Sequence, residues 1–193
     1  MVLSELAEIQ MGYPFRSRLE HDSKGEVSVV QMKDIDAANL VHVDRAIRVS
    51  LPEGKAHHLL RPGDLLFRSR GQNNGTAQVS DGIGEAVVAA PILRIRPRSV
   101  LSEYLCWFLN SPLAQLQLAS LAAGTSVRMI SAEALKDLDV PVPPKTVQHR
   151  VAESAALADR EQSLMVRIAA ERHRLTTHYL IQHAQRTSRK ATS

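Results

Sequence analysis

From Thr146 to about Arg186 the chain contains neither glycine nor proline. About forty residues without a helix breaker predict one continuous helix, a rod of roughly 60 Å at ~1.5 Å per residue. Apolar side chains recur along it at Val147, Val151, Leu157, Leu164, Ile168 and Leu175, and Ala155, Ala158, Met165 and Tyr179 widen the stripe. Glu161 and Glu171 interrupt the heptads. A stripe this long cannot be buried on a small domain, so it calls for another helix, from the same chain or from another. The rod begins after Val140-Pro141-Val142-Pro143-Pro144, where prolines stiffen the chain and prevent helix from running back into the preceding segment. The expected organisation is therefore a domain over residues 1–144, a spacer or dimerisation helix over 145–186, and a flexible polar tail over 187–193.

The first hundred residues read as short strands separated by loops. Val27–Met32 and Val41–Val49 are rich in β-branched residues. Arg61-Pro62-Gly63-Asp64 predicts a turn into a strand at Leu65-Leu66-Phe67. Further strands are expected at Ala77–Val79, Glu85–Ala89 and Ile92–Arg96. After Pro97 the pattern becomes helical. Ser102 is expected to cap a helix through Asn110, Pro112 to start another through about Ala122, and Ser131 to begin a short one through Lys136. Asp139–Val142 is expected as a last strand. The fold class is α+β: one mixed domain, then one long helix pairing in an antiparallel coiled coil.

Charge separates the two parts. The formal net charge is +4, but residues 145–193 carry nine Lys/Arg against four acids, which leaves the remainder at −1. A domain with no net positive charge can bind DNA only by concentrating its basic groups. Phe-Arg-Ser-Arg occurs twice, at Phe15–Arg18 and Phe67–Arg70. The second copy opens a polar loop, Arg68 to Thr76. Arginine can pair bidentately with guanine, and Gln or Asn with adenine. The candidate DNA-facing residues are thus Arg16, Arg18, Arg68, Arg70, Gln72, Asn73 and Asn74, with Gly71 allowing close backbone approach and Lys33 as a further candidate.

Several chemistries lack their signatures. Gly82-Ile83-Gly84-Glu85 is too short for a dinucleotide loop and leads into a strand. Asp44 with Glu53-Gly54-Lys55 has the outline of a Mg²⁺-dependent nuclease, but the second pair reads as a turn rather than a rigid strand. Adjacent His57 and His58 read as a surface pair, and no Cys/His set has zinc spacing. Cys106, the only cysteine, lies among residues expected in the core. No apolar run reaches membrane-span length, and Met1–Gln10 lacks the features of a signal peptide, so a cytoplasmic location is expected.

The order of landmarks carries a resemblance. Leu3-x-x-Leu6-Ala7-Glu8-Ile9 precedes Gly12, followed by Val30-x-x-Lys33-Asp34-Ile35, Leu60-x-Pro62-Gly63-Asp64-Leu65-Leu66-Phe67 and Leu93-Arg94-Ile95-Arg96-Pro97. Glu103-Tyr104-Leu105, Leu109-Asn110-Ser111-Pro112, Gly124-Thr125-Ser126 and Leu138-x-Val140-Pro141-x-Pro143-Pro144-x-x-x-Gln148 complete the series. This resembles the target-recognition domain and following helix of the specificity subunit of type I restriction-modification enzymes, over about residues 3–160. The resemblance implies a non-catalytic DNA-recognition subunit that binds no cofactor itself. It implies modification subunits as partners, which bind S-adenosylmethionine and methylate adenine, and leaves room for a restriction subunit that cleaves. It places Thr125, Ser126 and Arg128 in a loop near the DNA backbone. Family members usually carry two recognition domains separated by two antiparallel helices. One domain and one helix resemble half of that plan, and such halves are expected to form a homodimer reading an inverted, bipartite site. A stand-alone regulatory or interaction protein with the same fold is the alternative, and a nuclease the minor one.

Overall fold

The structure is a computed structural model describing residues 1–15, 19–51, 56–71, 74–121 and 129–191, with backbone alone at Ala56 and over 186–191. It divides into two compact units, Met1–Arg150 and Val151–Ser193.

The first unit is built on two sheets. A short helix α1 (Leu3–Leu6) runs directly into strand β1 (Ala7–Met11). Then come β2 (Val27–Val30), β3 (Ile47–Val49), β4 (Leu65–Arg68), β5 (Thr76–Gln78), β6 (Ala86–Val88) and β7 (Ile92–Pro97). One sheet has the order β1-β7-β4-β5 and is antiparallel throughout. The other has the order β3-β2-β6, with β2 parallel to β6 and antiparallel to β3.

Side-chain alternation explains how the sheets share a core. In β2, Val30 joins one cluster with Leu66, Ala77 and Ile92 of the other sheet, whereas Val27 and Val29 join a second with Val49. In β6, Ala86 and Val88 take the first cluster and Val87 the second. A strand buried on both faces reads as an unbroken apolar run rather than an alternating one. At β1 the reverse holds. Glu8 and Gln10 alternate with Ala7 and Ile9, and this polar face hides the strand from a hydrophobicity reading. Gly12 follows it at a point where an added Cβ would lie 2.7 Å from the carbonyl carbon of Ala89, so only glycine allows the two segments to meet.

Three expected elements differ. Val41–Val49 is not one strand: Val43–Arg45 forms a 3₁₀ turn and only Ile47–Val49 pairs. Asp139 makes an isolated bridge to Val2 instead of opening a strand, because its one neighbour is the short N-terminal segment. Helix α2 (Ser102–Asn110) is not capped by Ser102, which lies inside it. The amide of Leu101, at the cap position, instead donates to Gln148 Oε1 at 2.9 Å. Gln148 is 1% exposed and also donates from Nε2 to the carbonyl of Pro143 at 2.8 Å. Helix α3 (Pro112–Leu121) follows α2, and α4 (Ala132–Lys136) is capped by Ser131 as expected, its hydroxyl accepting from the Ala134 amide at 3.0 Å.

The final helix, α5, spans Lys145–Ala191. It continues through most of the segment expected as a flexible tail, since Thr187–Ala191 contains no residue that would stop it. Along Leu157, Leu164, Met165, Ile168, Leu175 and Tyr179 the helix is exposed on every apolar side chain. No helix of the described residues is long and apolar enough to cross a membrane.

Candidate nucleic-acid interface

The end of β4 and its connection to β5 carry six of the twelve expected DNA-facing residues, and the structure sorts the described ones into braces and free groups. Arg68 ends β4 half-buried. Its guanidinium Nη2 donates to Asn39 Oδ1. Asn39, at φ +60°, donates in turn from Nδ2 to Asn110 Oδ1 at 3.3 Å. Asn110 closes the network on β5: it accepts from the Thr76 amide at 2.9 Å and donates to the Thr76 carbonyl at 2.8 Å. This chain of amides ties β4, β5, the Asp36–Leu40 turn and the end of α2 together.

Asn74 is also a brace. Expected to face DNA, it is 7% exposed and donates from Nδ2 to the Arg68 carbonyl at 2.8 Å. Its own carbonyl accepts from Gln115 at 3.3 Å. An asparagine in a polar loop satisfies the backbone across that loop as readily as it reaches outwards, and sequence does not distinguish the two.

Arg70 is different. It is exposed, with no hydrogen bond or ion pair among the described residues. Its backbone bridges Met129, and the Ile130 amide donates to the Ser69 carbonyl at 2.8 Å. The pairing therefore brings Ser69 and Arg70 beside Met129 and Ile130. Gly71 has φ +120°, a region that side chains other than hydrogen resist, and open space lies where a Cβ would project. Arg16, Arg18, Gln72, Asn73, Thr125, Ser126 and Arg128 lie outside the described residues.

Lys33 projects into solvent from a 3₁₀ turn, Met32–Asp34, whose start is closed by the Gln31 amide donating to Asp34 Oδ2 at 2.9 Å. It lines a cleft of about 680 Å³ with Tyr13, Phe15, Gln31, Ala89 and Ala90. The rings of Tyr13 and Phe15 lie 4.6 Å apart, on the segment leading to Arg16. Ala89 and Ala90 form a wall of the cleft, and the next carbonyl, Pro91, accepts from the Ser69 hydroxyl at 2.5 Å. The β6–β7 connection thus lies between the cleft that Lys33 lines and the residue that precedes Arg70. The aromatic wall was not anticipated, since Tyr13 and Phe15 carry no distinctive spacing.

Other cations are committed to holding the sheet. Arg94, 2% exposed, donates to Glu8 Oε1 and Gln10 Oε1 at 2.6 Å each and to the His57 carbonyl at 2.9 Å. Burial, with repulsion from Arg96, pulls its guanidinium below the usual value, while Asp64 and Glu8 oppose the shift. Arg96 donates to both oxygens of Asp64 at 2.7 Å, and that pairing raises its affinity for the proton. These arginines hold β7 against its neighbours and are unavailable to a phosphate.

The remaining chemical candidates do not assemble. Asp44 sits on the Val43–Arg45 turn, and Glu53 and Lys55 lie outside the described residues. Among the described residues no group of three acidic, histidine or cysteine side chains could hold a metal. His57 and His58 do not point apart as a simple surface pair, since their rings are 4.1 Å from each other and His58 packs edge-on to Tyr13. Cys106, partly exposed rather than fully buried, lies with Sγ 3.6 Å from the Thr76 carbonyl.

The family model for the type I restriction modification DNA specificity domain matches residues 1–156, the whole of the first unit and the start of α5. The chain belongs to this family. The specificity domain is a DNA-recognition part rather than a catalytic one. Solved structures share its fold. A chain from a study of complex assembly and conformational transition of the type I R-M system aligns with TM-score 0.66 at 20% identity, over 88% of this chain and 40% of that one. The HsdS subunit from Thermoanaerobacter tengcongensis aligns with TM-score 0.62 at 21% identity, over 87% and 38%. The type I restriction-modification S subunit from M. genitalium gives 0.57 at 14%, over 83% and 38%. The specificity domain and its helix thus span about two-fifths of these relatives. A comparison with curated proteins gave no match.

Proposed function

We propose that this chain is a DNA-reading half of a type I restriction-modification specificity module, acting in the cytoplasm as a homodimer. Two recognition domains at opposite ends of paired α5 helices read an inverted, bipartite site. The same assembly docks methyltransferase subunits, which hold S-adenosylmethionine and modify adenine, and a restriction subunit can join it. The observation that carries the reading is the family match over a recognition domain, followed by a 47-residue helix whose apolar stripe is exposed among the described residues. The exposed stripe of α5 calls for a second helix, and a second copy of this chain supplies one.

Arg70 and Lys33 are proposed to contact DNA, together with the loops carrying Arg16, Arg18, Gln72, Asn73, Thr125, Ser126 and Arg128. Arg68 contributes by fixing the loop through Asn39. The test is DNA binding by the protein reconstituted with its methyltransferase, for wild type and for Arg70→Ala with Lys33→Ala. The double variant keeps its unfolding midpoint, binds more weakly, and loses about one to two units of salt dependence. An unchanged affinity and salt slope would remove both residues from the interface.

A further inference from the structure

Two charges lie on the apolar seam of α5 with no partner in their own helix. Glu171 and Arg174 pair at 2.8 Å one turn apart, as exposed helical charges commonly do. Glu161 and Arg172 form no ion pair or hydrogen bond among the described residues. Both belong to the row that alternates in steps of three and four: Val147, Val151, Ser154, Ala158, Glu161, Met165, Ile168, Arg172, Leu175 and Tyr179. Met165, Ile168, Leu175 and Tyr179 of this row are more than half exposed.

In an antiparallel pair about a two-fold axis, each residue faces one equally far on the other side of the axis. With the axis between Val166 and Arg167, Glu161 faces Arg172 of the second copy, and the symmetry makes this contact twice. The neighbouring layers then fit in size as well as charge: Met165 faces Ile168, Ala158 faces Leu175, and Ser154 faces Tyr179. Small residues on one arm meet large ones on the other, the condition for even packing along a seam. Sliding by one heptad destroys the match. In one direction Glu161 falls opposite Met165 and Arg172 opposite Ser154. In the other, Glu161 meets Tyr179 and Arg172 meets Ile168. Each slide buries unpaired charges against apolar or small neighbours.

We infer that α5 takes a second copy of this chain in a single antiparallel register, fixed by reciprocal Glu161–Arg172 pairs about an axis between Val166 and Arg167. The inference rests on the homodimer reading above and adds its register. It makes the helix a ruler of one length, with the first turns of the two α5 helices ~65 Å apart at ~1.5 Å per residue. Glu161 and Arg172, the two charges in this otherwise uncharged row, become the residues that set the separation of the two recognition domains.

The test uses the full chain. Glu161→Arg places like charges across the seam twice and weakens dimerisation by at least roughly tenfold in sedimentation analysis, and Arg172→Glu does the same. The double variant exchanges the charges and returns to within about threefold of wild type. Register is read separately by spin labels at Ala156→Cys or Thr177→Cys, each in a Cys106→Ser background. Both sites face away from the seam and are equidistant from the axis. They give equal inter-copy distances, with an axial component of ~31 Å, whereas a one-heptad slide splits them to ~21 and ~42 Å. Unequal distances in a wild-type-like dimer, or single reversals that leave dimerisation unchanged, overturn the register while the homodimer stands. A wild-type chain that stays monomeric at high micromolar concentration overturns both.

Discussion

Replacing Gln148 by alanine tests whether the long helix is attached to the recognition domain through one buried amide. The side chain is 1% exposed, accepts from the Leu101 amide at 2.9 Å and donates to the Pro143 carbonyl at 2.8 Å. The Leu101 amide is an orphan donor at the start of α2, with no helical acceptor of its own. Alanine removes two hydrogen bonds, each worth about 1 kcal/mol net, and leaves a buried donor and acceptor whose desolvation adds about 1–3 kcal/mol. The expected loss is about 2–4 kcal/mol, a large share of the ~5–15 kcal/mol that holds a domain folded. Trp107 is the single tryptophan and sits on α2 with its ring 5.6 Å from that of Tyr104, whose hydroxyl donates to the Pro141 carbonyl at 2.8 Å. Its fluorescence during urea unfolding therefore reports on this joint. Gln148→Glu gives a second readout. A carboxylate still accepts from Leu101 but faces the Pro143 carbonyl with a second acceptor, so the variant is destabilised at neutral pH. Burial raises the pKa of the introduced carboxyl above its unfolded value, so the deficit shrinks as pH falls through that raised value, where the protonated group again donates. A Gln148→Ala midpoint within about 0.5 kcal/mol of wild type, or a Gln148→Glu deficit that does not change with pH, would refute the account.

Two further outcomes follow from the ion pairs of the sheet. Asp64→Asn leaves Arg96 without its bidentate partner beside a buried site, and the expected loss is about 3 kcal/mol by urea denaturation; a loss below about 1 kcal/mol would show the pair to be replaceable by water. Glu8 is held below the usual carboxylate range first by the hydrogen bond from Arg98 and then by the charges of Arg94, Arg96 and Arg98, against the opposing effect of burial. Its contribution is complete above the unfolded value of about 4.3 and fades as pH falls through the lower folded value. The midpoint advantage of wild type over Glu8→Gln is accordingly flat near pH 7 and shrinks below about pH 4; an advantage that grows on acidification would reverse the sign of the argument.

Residues of the same types, all expected to face DNA, became braces in some places and free groups in others, and their different fates mark where sequence stops informing. Arg68 and Arg70 are two residues apart in one string. Strand alternation would place both on one face, but β4 ends at Arg68, whose guanidinium turns to Asn39, while Arg70 beyond the strand end is exposed. Asn74 was expected outside because it lies in a polar loop, yet it spends its amide on the Arg68 carbonyl. Such choices depend on which carbonyl is within 3 Å, a fact of tertiary packing. Strand β1 escaped notice for a related reason: Glu8 and Gln10 look like solvent-facing residues until Arg94 is seen between them.

Local rules were sufficient wherever the chain needs no distant partner. The glycine- and proline-free run forms a helix by propagation alone, and it even outran its expected end because nothing in Thr187–Ala191 stops it. The turn at Pro62-Gly63 and the cap at Ser131 are equally local. The sequence by itself thus determined the rod, its apolar stripe and the break after Pro144. Only the tertiary structure decided how two sheets share Val30 and Val88, that Gln148 satisfies the Leu101 amide at the start of α2, and which arginines are committed to ion pairs within the sheet. A helix closes its hydrogen bonds within four residues, whereas a sheet, a buried ion pair and a binding surface are closed by residues up to ninety positions away.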